Sequence, residues 1–225
     1  MFLLLHSMHV SHASRSTGSG TGWSSANCDR VVSAVATNMI EAGFGAEPAT
    51  HRGVPAQASR RWWLAGDGTK VLLRPIDPRD FELERDFVRG LSRTTRYLRL
   101  LSGRQPSTDE IHRWTDIDWP REGAVIATVR MDGLERQIGV ARYAAQPGES
   151  EAEIAIVLSD AWQGHGLGGP LLASLIELAR QSGMIRLFGT TLSENPTMIA
   201  LGRRLGFRLS RQRGAAYLTE LSLDL

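Results

Sequence analysis

Four glycines in the stretch Gln163-Gly164-His165-Gly166-Leu167-Gly168-Gly169 free the backbone there to turn its N–H groups toward one point. A helix starting at the end of that stretch would add the unsatisfied donors of its first turn and the positive end of its dipole. Such a set of donors takes an anion, and its extent suits a diphosphate. Just upstream, Glu149, Glu151 and Glu153 recur at every second position, so in a regular strand they share one face. Carboxylates that close repel one another, which raises their pKa values, and together they attract a cationic amine. The plainer reading of the same three is a solvated strand end. His165 sits inside the glycine run, where a solvent-facing place beside the anion suits it better than a catalytic one.

These residues need a strand, a turn and a helix to position them. Ile154, Ile156 and Leu158 alternate with Ala155 and Val157, which predicts a strand over Glu151–Leu158. Leu171, Leu172, Leu175, Ile176 and Ala179 then form the apolar stripe of a helix after Gly168, with Pro170 tolerated in its first turn. Downstream come a strand at Ile185–Leu192 and a helix from Asn195-Pro196 to Leu205, stopped by Gly206. Strands at Phe207–Ser210 and Ala216–Leu223 close the series. Upstream, a strand at Lys70–Arg74 precedes a helix over Arg79–Gly90 marked by Phe81, Phe87 and Val88. The segment Leu91–Arg99 and a short helix at Thr108–Thr115 lead to strands Ala124–Arg130 and Gln137–Ala144, joined by the hairpin signal Asp132-Gly133. The order is mixed α/β, without internal repeats.

Residues 1–68 read as a poorly ordered extension and 69–225 as one domain. The apolar run at Met1–Leu5 stops at His6 and lacks the basic and long apolar regions of a secretion signal. Nothing reaches the roughly 20 apolar residues of a membrane span. His6, His9 and His12 have no carboxylate or cysteine partners nearby, so a polar tail fits them better than a metal site. Ser11–Ser25 is rich in Ser, Gly and Thr, and Asp29–Ala42 predicts a short capped helix. Residues 43–68 read as a linker, whose Trp62-Trp63 end must pack on something. The formal net charge is only +2, and Lys70 is the sole lysine among 26 basic residues. Arginine's planar fork suits phosphate, but no basic block argues for nucleic acid. Cys28 stands alone, which leaves no disulfide or cysteine metal cluster and points to a reducing cytoplasm.

Two motifs compete for the glycine run. Gly164-x-Gly166-x-x-Gly169 matches the dinucleotide fingerprint, which expects an acidic residue about 20 positions on, at the end of the next strand. Ile185–Leu192 has none, and Glu194 lies beyond it. Gln163-x-x-Gly166-x-Gly168 instead matches the acyl-CoA loop Q/R-x-x-G-x-G/A, and Leu205-Gly206-Phe207 follows the last helix. From about Thr69 onward the chain therefore resembles the GNAT acetyltransferase superfamily. Within it, the chain is most similar to bacterial Pat-type protein lysine acetyltransferases. Val71–Ile76, Ser92 with Arg96-Tyr97-Leu98-Arg99, and Ala152-Glu153-Ile154-Ala155 before Trp162-Gln163-Gly164 carry that similarity.

The resemblance implies a central, mostly antiparallel mixed sheet of about seven strands flanked by about four helices, with a splayed acyl-CoA groove. It implies acetyl-CoA as cosubstrate and no metal. The diphosphate would lie on Gln163, Gly164, His165, Gly166, Leu167, Gly168 and Gly169, with Arg203, Arg204, Arg211 and Arg213 as candidates for the 3′-phosphate. The pantetheine arm would follow Ile156, Val157 and Leu158, where an N–H would polarise the thioester carbonyl. Asn195 is a further coenzyme candidate, with helix capping an equally good account of it. A lysine amine of pKa about 10.4 must lose a proton before it attacks, and the resemblance selects Glu153 as the general base. The expected acceptor is a primary amine, such as a lysine on an acyl-CoA synthetase, and the expected state a monomer or homodimer without nucleic-acid or membrane partners. A small-molecule amine acetyltransferase and a silent acyl-CoA-sensing module stay open. The second is suggested by Gly202, which stands seven residues after Asn195 where many members place a proton-donating tyrosine.

Overall fold

Apolar residues line nearly the whole of Glu122–Met131 and much of Leu134–Ala145, and these two strands form the middle of the sheet. Their turn has Asp132 and Gly133 at φ of 52° and 79°, the pair of positive angles that a two-residue hairpin needs. The computed structural model describes residues 60–100, 105–211 and 215–225, with the backbone alone at 97–100. The tail histidines, Cys28, Arg213 and the helix expected at 29–42 lie outside the described residues.

In chain order the strands are β1 (Arg61–Leu64), β2 (Lys70–Pro75), β3 (Glu122–Met131), β4 (Leu134–Ala145), β5 (Glu151–Leu158), β6 (Arg186–Leu192), β7 (Arg208–Arg211) and β8 (Leu218–Asp224). The helices are α1 (Phe81–Gly90), α2 (Arg93–Leu100), α3 (Thr108–Thr115), α4 (Gly168–Gln181) and α5 (Pro196–Arg204). One eight-stranded sheet runs β1-β2-β3-β4-β5-β6-β8-β7, antiparallel throughout except between β5 and β6. This is the mixed α/β architecture expected, with one strand and one helix more.

The additional strand is β1. Arg61–Leu64, expected as the end of a linker, pairs with Lys70–Leu73 across a tight turn. Its alternation sorts the two tryptophans: Trp63 packs on the core, whereas Trp62 is 70% exposed. The additional helix is α2, where arginines and threonines hide any apolar stripe. Its start is set by Ser92, whose hydroxyl accepts the Thr95 N–H at 3.1 Å, an N-cap.

Each face of the sheet has its own core. On one side α4 and α5 cover the sheet, with Leu171, Leu172, Leu175, Met198 and Leu201 packed against Ile154, Ile156 and Leu158 of β5. On the other, Phe87, Val88 and Leu91 meet Val140 and Val157. Burying each such side chain is worth about 1.5–3 kcal/mol. The alternation along β5 therefore turns Ile154, Ile156 and Leu158 toward α4 and leaves Glu153, Ala155 and Val157 on the α1 side.

Candidate active site

Strand β5 is paired with β4 along most of its length, from Ala152 opposite Ala145 to Leu158 opposite Gly139. Its pairing with β6 is far shorter: only Glu151, Ala152 and Glu153 meet Arg186, Leu187 and Phe188. Beyond that point β6 stays with β8 and the two strands part. Ile156, Val157 and Leu158 therefore border an opening with no ladder partner on the β6 side. This is the splayed groove the resemblance implied.

Glu153 stands in the last paired row before the strands part. It is 9% exposed, and its Oε1 is buried with no hydrogen-bond partner. Burial pushes its carboxyl up to about 8, from an ordinary value near 4.5. The cause differs from the one read in the sequence. Glu149 is exposed beyond the strand, and Glu151 faces Arg186 across a 3.4 Å ion pair, so repulsion within a carboxylate trio is not what raises Glu153.

Past Leu158 the chain turns through Asp160–Trp162 and enters the glycine run. Gly164 and Gly166 have φ of 81° and 87°, angles that side chains with a Cβ adopt only under strain. Among the described residues no hydrogen bond takes the N–H of Gly164, His165, Gly166, Leu167 or Gly168. The Gly169 N–H, expected among the donors, instead reaches the Gly166 carbonyl at 3.3 Å. Leu167 is fully buried and pins the run to the core, so it can offer a ligand only its backbone. The Gln163 side chain donates to the Leu158 carbonyl at 3.2 Å, which ties the run to the end of β5. His165 is exposed and meets Trp162 edge-on, in line with a solvent-facing place. Five successive free amides at the start of a helix, beside an open groove, fit a diphosphate carrying an extended thiol arm.

Asn195 lies elsewhere in its bonding. Its Oδ1 accepts the Met198 N–H at 3.1 Å and its Nδ2 donates to Thr191 Oγ1 at 3.0 Å. The amide is thus engaged at both ends as the cap of α5. Gly202 also has a packing explanation: a Cβ there would lie 2.5 Å from Leu221 Cδ2. This position, where the resemblance to the wider superfamily would place a tyrosine, faces the core of this chain. Gly202→Ala should cost about 1–3 kcal/mol through overpacking, read as a lower urea midpoint without loss of coenzyme binding.

One feature had no local signal in the sequence. Asp160 accepts hydrogen bonds from Thr95 Oγ1 at 2.6 Å, Ser92 Oγ at 2.9 Å and the Ser92 N–H at 3.0 Å. Burial pushes its carboxyl up, but these hydrogen bonds outweigh it and hold the group below the usual range. The start of α2 is thereby latched to the turn that leads into the glycine run.

Residues 70–208 match the acetyltransferase (GNAT) domain family. An acetyltransferase of Pseudomonas aeruginosa is 37% identical over 142 residues, which cover 63% of this chain and 76% of that protein. Acetyltransferase Pat of Mycolicibacterium smegmatis is 28% identical over 76% of this chain, which spans only 49% of that relative. The crystal structure of the GNAT domain of S. lividans PAT superposes with a TM-score of 0.66 at 26% identity, over 76% of this chain and 99% of that one. No helix among the described residues is long and apolar enough to cross a membrane. Family match, relatives and fold agree, and the chain belongs to the GNAT family of acetyl-CoA-dependent N-acetyltransferases.

Proposed function

We propose that this chain moves the acetyl group of acetyl-CoA onto a lysine side chain of a protein, with Glu153 as the general base. The observation that carries the proposal is the buried, unpartnered Glu153 Oε1 where β5 and β6 part. A carboxyl held up by burial alone has no counter-charge in the free protein. A cationic amine arriving beside it supplies one, so Glu153 ionises as the acceptor binds and then takes the ammonium proton. The neutral amine forms the C–N bond to the thioester carbon, the C–S bond breaks and the thiolate departs, and the second proton of the nitrogen passes to that thiolate or to solvent. Gly202 offers no phenol to protonate it, and a thiolate leaves without that help.

Coenzyme binding falls to the free amides from Gly164 to Gly168, with the arm laid along Ile156, Val157 and Leu158. Gln163, Leu167 and Asn195 hold that geometry in place through their side chains, and Gly169 does so through its N–H to the Gly166 carbonyl. The resemblance to Pat-type protein lysine acetyltransferases, a name shared by the Pat relative and the PAT domain, is the ground for a protein lysine as acceptor. A lone cysteine suits a reducing cytoplasm as the place of reaction.

Incubation with labelled acetyl-CoA and a panel of acceptors tests the acceptor class. The panel holds folded lysine proteins, an acyl-CoA synthetase among them, together with polyamines and amino acids. Label on protein lysines, located by peptide mass spectrometry, is the expected result. Label on small amines alone would make the enzyme a small-molecule acetyltransferase. Tight CoA binding without transfer to anything would make the chain a sensing module.

A further inference from the structure

Arg204 closes the last turn of α5, and its guanidinium lies across the first turn of α4. A Cβ on Gly169 would stand 2.7 Å from Arg204 Nη2 and 3.6 Å from Cζ, so glycine is what admits the side chain there. Several other arginines of the described residues face carboxylates: Arg74 with Asp80, Arg121 with Asp118, Arg208 with Asp224. Arg204 is exposed and has no such partner among the described residues. Its charge is favourable at the C-terminus of α5 but is set against the positive N-terminus of α4. That second contact is unfavourable until an anion comes between them.

Gly169 directly follows the free amides of Gly164 to Gly168, so the guanidinium lies beside that run. Two sets of donors, one backbone and one guanidinium, thus adjoin at the start of α4. Arginine's planar fork pairs bidentately with phosphate oxygens, in hydrogen bonds stronger than those of a neutral donor.

We propose that Arg204 is a side-chain clamp on the diphosphate of the coenzyme, reaching over Gly169 from α5. The inference rests on the reading of the glycine run as the coenzyme loop. It selects one of the four arginines that the sequence offered, and it moves that arginine from the 3′-phosphate to the diphosphate.

Calorimetric titration with CoA and with dephospho-CoA, which lacks the 3′-phosphate, tests it. Arg204→Ala should weaken both by the same factor, roughly tenfold to a hundredfold. The ligand-free thermal midpoint should stay where it is, since the side chain is exposed and unpaired. Weakening of CoA alone would put Arg204 on the 3′-phosphate and overturn the proposal, and so would unchanged affinity for both. Gly169→Ala gives a second handle, because the added Cβ must displace the flexible guanidinium. Its loss should be largely absorbed in the double variant with Arg204→Ala, whereas fully additive losses would overturn the shared contact. Wild-type protein that binds neither coenzyme would instead defeat the loop reading itself.

Discussion

Glu153→Gln is expected to lower kcat by roughly 10²–10⁴-fold, the span that general-base catalysis contributes. Its affinity for CoA should not change, because Gln fills the same volume and the coenzyme's donors lie in the glycine run. The effect is large because Glu153 is the buried carboxyl where β5 and β6 separate, and its Oε1 is free of any partner. The wild-type pH profile carries a second signature. Burial raises the free carboxyl to about 8, so kcat/KM should climb with pH toward an inflection near that value. In the complex the acceptor ammonium favours the carboxylate, so the inflection in kcat should fall lower. Stability runs the opposite way. The folded protein holds a proton on Glu153 that the unfolded chain releases near the ordinary glutamate value. Stability therefore declines from about pH 4.5 to about pH 8, and Glu153→Gln removes that decline. A single variant should thus lose turnover and gain stability at alkaline pH, which mere damage to the fold would not produce.

Glu84→Ala should destabilise the domain by about 3–5 kcal/mol, measured by urea unfolding at constant m-value. Glu84 is fully buried on α1 and accepts hydrogen bonds from Gln137 and from Arg142, the latter at 3.2 Å. Arg142 also donates to the Trp114 carbonyl at 3.0 Å and lies over the Trp114 ring. The cluster ties α1 and α3 to β4, in the row next to Ala155 of β5. Removing the carboxylate leaves a partly buried guanidinium without its counter-charge, which is the expensive way to break such a pair. Replacing both partners with apolar residues, Glu84→Leu with Arg142→Met, should cost much less. A double variant as unstable as the single one would mean that the loss comes from packing and not from the orphaned charge.

Much of the site could be read in the sequence because its elements are local. The period-2 run of β5, the stripe of α4 and the glycines between them announce themselves within a few turns of chain. Positive φ at Gly164 and Gly166 is the physical reason why that run is glycine. The splay was implied by resemblance alone, since nothing in Ile185–Leu192 states how far it stays with β5. What could not be read depends on tertiary register. Glu151 leaves the carboxylate trio because parallel pairing sets it opposite Arg186. Gly202 lacks a side chain because β8 brings Leu221 against α5. Arg204 reaches Gly169 because α5 crosses near the start of α4. β1 was too short for its alternation to stand out from the segment before it, and its pairing with β2 is what makes it a strand.

The protonation of Glu153 can be watched directly in protein carrying ¹³C-labelled glutamate side chains. The resonance missing from Glu153→Gln identifies the group, and a pH titration follows it. A carboxyl that stays protonated through neutral pH and ionises near 8, shifting lower when CoA and an acceptor lysine are both present, is the predicted result. A Glu153 that ionises with the ordinary glutamates, near pH 4–5 as surface carboxylates do, would contradict it.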